Sequence, residues 1–130
     1  MNLLLDTHIL LWSLNGSDRL LPEMKNALEE PSNTLWLSPI IIWEMLMLHE
    51  KDRIRIDHSD PLKWIRKVLN SIPFKEAPLN HEVAVQSRQV KLPHQDPADR
   101  FLVATALVYD LIFMTVDQKI LDSDSREICF

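Results

Sequence analysis

The stretch His94-Gln95-Asp96-Pro97-Ala98-Asp99-Arg100-Phe101-Leu102-Val103-Ala104-Thr105-Ala106 constrains this chain more than any other. It opens with helix-start chemistry. Asp96 is a good N-cap, Pro97 suits the first helical position, and Asp99 sits in the turn that follows. An almost unbroken apolar run then extends from Phe101 to Val108. A helix that is apolar all round is buried on most sides. The spacing therefore predicts a central helix with Asp99 in its first turn, at the rim of the core. Capping and dipole complementation alone would account for acids at positions 96 and 99. Other acids in the chain give Asp99 more to do.

The chain has 130 residues, which suits one domain spanning 1–130. Apolar residues make up 46%, enough for a proper core, and no run is long enough to cross a membrane. The N-terminus lacks a cationic region, and Asp6 interrupts the first apolar stretch, so no signal peptide is read. The single cysteine, Cys129, rules out an internal disulfide and fits a reducing compartment. A cytoplasmic location is expected. The formal net charge of -5 argues against broad, charge-driven nucleic-acid binding. It leaves room for an enzyme acting on nucleic acid, because metal ions supply local positive charge. With one glycine, Gly16, the chain has no Gly-rich phosphate loop of either common type.

Asn2 to Leu5 is a short apolar run typical of a buried strand, ending at Asp6. Thr7 to Asn15 reads as a helix, and Asn15-Gly16-Ser17-Asp18 as a turn. Pro22 to Glu30 is a second helix, followed by a strand candidate over Thr34 to Leu37. Ser38-Pro39 opens a third helix, Ile40 to Glu50. Within it, Ile40 to Leu48 is apolar except for Glu44, and an ionised carboxylate in such surroundings needs a partner, a cavity or a metal. Lys51, Arg53 and Arg55 follow at alternate positions. They are most simply a solvated face, and also candidate phosphate contacts. Asp60-Pro61 opens a fourth helix to about Asn70, with Leu62, Ile65, Val68 and Leu69 facing inward. Phe74 to Leu79 is a weak strand between prolines, and Asn80 caps a fifth helix from His81 to about Val90. After the central helix, Leu111 to Thr115 is a buried strand, ending near Asp117. A short helix follows, and Arg126 to Phe130 reads as a last, edge strand. The alternation implies an α/β sandwich with a mostly parallel central sheet flanked by helices.

In a parallel sheet the carboxyl ends of the strands share one edge with the N-termini of the helices that follow. Asp6, Asp99 and Asp117 should share that edge, and Glu44 can join them from the early turns of its helix. Crowded carboxylates cannot all stay ionised without compensation. Hard divalent cations with oxygen ligands provide it, Mg²⁺ or Mn²⁺ fitting best. Such a site suits water attack on a phosphodiester. Zinc is disfavoured, because the histidines show no ligand spacing. His8 and His94 are expected near the site, as supporting or surface residues.

At these residues the chain resembles the PIN domains, and within them the VapC-type toxins of bacterial toxin–antitoxin pairs. The resemblance rests on Leu4-Leu5-Asp6-Thr7-His8, the Glu44 helix, Asp96-Pro97-Ala98-Asp99-Arg100, Ala104-Thr105-Ala106 and Thr115-Val116-Asp117. It implies a PIN-like three-layer sandwich and a metal-dependent ribonuclease, dimeric and held inactive by a partner protein. It assigns the acid site to Asp6, Glu44, Asp99 and Asp117. Asp96 matches an additional acid found only in the toxin subset. Thr7 and Thr115 match polar positions that orient the acids by hydrogen bonds. Arg100, with Lys51, Arg53 and Arg55, is a candidate substrate contact.

Two other readings compete. A receiver- or phosphatase-type domain wants paired early acids and a late lysine, whereas Lys119 follows Asp117 too closely. A non-catalytic PIN-like binding module should lack one of the acids, and none is missing. Finally, Leu11, Trp12, Leu14, Leu20, Leu21, Trp43, Met45, Met47 and Trp64 exceed what a small core easily absorbs. Some are expected to form exposed ground for a second copy and for an amphipathic antitoxin segment, in a groove bounded by the first two helices and the Glu44 helix.

Overall fold

The computed structural model describes residues 1–93 and 95–130. His94, expected near the site, lies outside the described residues. Among the described residues the chain builds a parallel sheet of order β3-β2-β1-β4, flanked by helices. The strands are β1 (Asn2–Leu5), β2 (Thr34–Leu37), β3 (Lys75–Glu76) and β4 (Ile112–Met114). The helices are α1 (Thr7–Asn15), α2 (Pro22–Glu29), α3 (Pro39–Glu50), α4 (Pro61–Ser71), α5 (His81–Ser87), α6 (Pro97–Tyr109) and α7 (Gln118–Leu121).

β1 is the hub. It pairs with β2 through Leu3↔Leu35 and with β4 through Leu3↔Ile112, in parallel on both sides. Leu3, Leu4 and Leu5 are buried, as a strand covered on both faces requires. The chain first winds one way from β1, to β2 and β3, and then places β4 on the other flank. The C-terminal ends of β1 and β4 therefore bracket a topological switch point, where ligands bind in open α/β sheets. α6 fills the role that its apolar run implies: Leu102, Val103, Ala104, Thr105 and Ala106 are all buried. Gly16 ends α1 in the left-handed conformation, φ 62°, which a residue without Cβ adopts without strain.

Four local readings are corrected by the structure. Arg126 to Phe130 is not a strand. A 3₁₀ helix covers Asp124–Ile128, and only Cys129 bridges to Phe113. The polar side chains decide this locally, because Ser123 accepts from the Ser125 amide and Ser125 donates to the Lys91 carbonyl. The segment from Phe74 to Leu79 keeps only two strand residues, since Pro73 and Pro78 cannot donate to a ladder. α5 ends at Ser87 and its chain turns into Val90, whose amide bonds the Gln86 carbonyl. On α4, Ile65 is buried but Leu62 and Leu69 are exposed.

The same end of α5 explains Arg100, which was expected to contact substrate. Arg100 is buried: its Nε donates to the Ser87 carbonyl at 2.9 Å and its Nη2 to the Val90 carbonyl at 3.3 Å. It caps the carbonyls left over where α5 stops. The apolar surplus of the first half is mostly absorbed too. Leu11 and Met45 are buried, Trp12, Leu14, Leu20 and Trp64 pack against the core, and Leu21 and Trp43 stay exposed.

Replacing Arg100 by Ala should lower the unfolding free energy by about 3 kcal/mol, since it strands buried carbonyls. Urea denaturation measures this. A loss well under 1 kcal/mol would mean that other groups or water take over those carbonyls.

Candidate active site

Three aspartates of the switch-point edge are helix N-caps. Asp6 caps α1, its Oδ1 accepting from the Thr7 amide at 2.8 Å. Asp117 caps α7, its Oδ1 accepting from the Lys119 amide at 3.0 Å. Asp96 caps α6, its Oδ1 accepting from the Asp99 amide at 3.2 Å. Each cap fixes its carboxylate on a rigid element, and the positive ends of α1 and α6 favour the charge.

The threonines tie these acids together. The Thr115 hydroxyl donates to Asp6 Oδ2 at 2.6 Å and accepts from the Asp117 amide at 3.0 Å. The Thr7 hydroxyl crosses to α3 and donates to Glu44 Oε1. Both threonines are buried, so the hydroxyls have no water to compete with. Thus Thr7 supports Asp6 through its amide and Glu44 through its hydroxyl. The reach to Glu44 is not visible in the sequence, because it depends on how α1 and α3 pack.

Asp6, Glu44, Asp96, Asp99 and Asp117 line one cavity of about 370 Å³. Exposed His8 stands at its wall, and Ile9, Leu48 and Val116 supply apolar surface. Leu48 was not foreseen as a wall, although it follows Glu44 by one helical turn. Lys51, Arg53 and Arg55 do not line the cavity. They are exposed around the loop after α3, where Arg55 pairs with Asp57 at 3.5 Å.

Burial pushes the Asp6 carboxyl up to about 7, and the charges of Asp99 and Glu44 push the same way against the hydrogen bonds from Thr115 and Thr7. The acids therefore repel one another across the cavity, which is the electrostatic condition for a cation. Among the described residues, no three His, Cys, Asp or Glu side chains form a ready-made metal group. That still fits Mg²⁺ or Mn²⁺: the donors are all hard oxygens, and Mg²⁺ typically takes one or two carboxylates and keeps several waters. The donor set does not suit zinc, which prefers imidazole and thiolate.

The sequence model of the PIN domain family matches residues 3–124. The chain belongs to the PIN domain family. Among solved structures, a chain of VapBC2 from Rickettsia felis, bound to a DNA fragment from its promoter, superposes with TM-score 0.66 at 14% identity, covering 96% of this chain and 95% of that one. FitAcB from Neisseria gonorrhoeae gives TM-score 0.66 at 20% identity over 98% and 94%. A toxin–antitoxin complex from Klebsiella pneumoniae gives TM-score 0.59 at 26% identity over 91% and 88%. No curated protein matches the sequence. No helix of this PIN domain, among the described residues, is long and apolar enough to cross a membrane.

The raised Asp6 has a pH consequence in metal-free protein. Its stabilising contribution is fully present below the unfolded value of 3.8 and is lost as pH rises through about 7. The melting temperature of Asp6→Asn, relative to wild type in EDTA, should therefore rise between about pH 4 and about pH 8. Calorimetry at both ends checks it. A pH-independent difference would show that Asp6 ionises as freely in the native protein as in the unfolded chain.

Proposed function

We propose that this PIN domain is an Mg²⁺- or Mn²⁺-dependent endoribonuclease and the toxin of a toxin–antitoxin pair. One observation carries the catalytic half: the acids at the sheet's switch point, Asp6, Glu44, Asp99 and Asp117, line a single cavity with an elevated Asp6 carboxyl. PIN-family membership supports a nuclease, and the toxin–antitoxin complex among the structural neighbours supports the biological setting.

One or two carboxylates from the set Asp6, Glu44, Asp99 and Asp117 would hold the cation directly and the others through its waters, with Asp96 beside them. The bound ion supplies acidity to an attacking water and charge stabilisation to the departing oxygen. The chain's own residues do the rest. Thr115 and Thr7 hold Asp6 and Glu44 in fixed rotamers, so the carboxylates need no reorganisation when substrate arrives. The walls at Ile9, Leu48 and Val116 keep the local dielectric low. A bound cation would offset part of the carboxylates' charge and so lessen the repulsion met by an RNA phosphate.

For the partner, a cavity of about 600 Å³ lies between α1 and α2, with Trp12, Leu20 and Leu28 among its walls. It draws on α1, α2 and their connection and not on α3, so the expected groove is narrower than the sequence reading drew it. An amphipathic antitoxin segment fits there. Exposed Leu62 and Leu69 of α4 offer apolar ground for a second copy.

Asp6→Asn and Asp99→Asn should each abolish Mg²⁺-dependent cleavage of single-stranded RNA while leaving the fold intact, because the amide keeps shape and loses charge. Mg²⁺ at one hundred times its Kd should stabilise wild type by about 2.7 kcal/mol, and Asp99→Asn by less. Activity retained in both variants, on highly purified protein, would refute the site. Co-expression with the product of the adjacent gene should give a larger, inactive complex on size-exclusion chromatography. A monomer that ignores that product would refute the toxin–antitoxin half alone.

A further inference from the structure

A second cavity, of about 390 Å³, lies beside the acid site and shares Glu44 and Asp96 with it. Its other walls are apolar. On α3, Ile40, Trp43, Glu44 and Met47 form one stripe at helical spacing and all line this cavity, while Ile41 and Met45 of the same helix are fully buried. The apolar stripe thus faces outward, and Trp43 is left 55% exposed. Phe101 of α6 supplies a second aromatic ring. Pro97 and Ala98, small residues at the start of α6, leave the space between.

We propose that this cavity holds a nucleobase of the substrate strand next to the cleaved phosphodiester, stacked on Trp43 and Phe101 and read at its edge by Asp96. The proposal rests on the ribonuclease reading and specifies its substrate. A base is flat and apolar on its faces and polar at its edge, and unpaired RNA bases are recognised on aromatic side chains. The cavity has the same division, with aromatic and aliphatic walls and, among the described residues, carboxylates as its only charged groups. Glu44 is committed to Thr7 and the acid site. Asp96 uses Oδ1 to cap the Asp99 amide and lines the cavity as well. An ionised carboxylate accepts and cannot donate. Guanine, with adjacent N–H groups on its pairing edge, satisfies it best, and uracil, with two carbonyls, satisfies it worst. Continuity with the catalytic cavity favours a base over a protein segment: one strand can place its phosphate in the first cavity and its base in the second.

The test uses the full chain with Mg²⁺ and short single-stranded RNAs that differ by one guanine or uracil. Trp43→Ala should raise KM about tenfold to one-hundredfold, the range for losing one stacked base, with a smaller change in kcat. Trp43→Phe should restore most of it. Asp96→Asn should erase the preference for guanine over uracil, and Val85→Ala, exposed on α5, should change nothing. In the Asp99→Asn background, binding of the guanine RNA should quench tryptophan fluorescence, and Trp43→Ala should abolish the quench. Unchanged KM in Trp43→Ala overturns the proposal. So does unchanged KM together with loss of a dimer, or of the adjacent gene product, on size-exclusion chromatography, because the stripe is then a protein interface. If wild type binds RNA with the Trp43-dependent quench but cleaves none, the ribonuclease reading falls and the base site stands. If it neither binds nor cleaves, both fall.

Discussion

Parallel pairing of β1 with β4 is the constraint on which the rest of the molecule depends. It joins Leu3, Leu4 and Leu5 to Ile112, Phe113 and Met114, and the Asp6 amide extends the ladder to the Met114 carbonyl. That register alone sets Asp6 beside Thr115, 109 positions away in sequence. Slipping the register by one residue would turn every side chain of β4 to the opposite face, taking the Thr115 hydroxyl away from Asp6. The side chains of Leu3, Leu4, Leu5 and Phe113 are packed in the core on both faces of the sheet, and a slip would have to repack them.

On that frame, each acid does structural as well as chemical work. Asp6, Asp96 and Asp117 satisfy helix amides; at Asp6 the hydrogen bonds from Thr7 and Thr115 favour the ionised state, while burial and repulsion from Asp99 and Glu44 oppose it. Burial is the largest influence on Asp6, so its carboxyl rises despite two hydrogen bonds. The protein therefore concentrates unfavourable charge at this edge of the sheet. Sites that concentrate function commonly depart in this way from what stability alone would select.

The architecture and the shared acid edge were legible in the sequence because they follow from patterns with strong physical causes. Cap–proline–acid at 96–99 and the apolar run after it read as a buried helix, and the short apolar runs ending at Asp6 and near Asp117 read as interior strands. What escaped was decided by contacts between distant residues or by local polar competition. Arg100 looked like a surface cation beside an acid motif, yet the stop of α5 at Ser87 created carbonyls for it to satisfy. The tail from Arg126 had strand-like composition, but hydroxyls at Ser123 and Ser125 gave the backbone a closer alternative. Trp43 was seen as surplus apolar surface, and only the packing of α3 against α6 shows that it faces a cavity and not the core.

The β1–β4 register also bears on when the protein can act. Asp6 is synthesised 109 residues before Thr115, and Thr115 and Asp117 complete its surroundings. No growing chain short of that point can assemble the cavity, whatever local helices have formed. Folding of so non-local a sheet is slow relative to helix formation. A ribosome making this protein thus carries a chain without the assembled acid cavity until Asp117 has emerged.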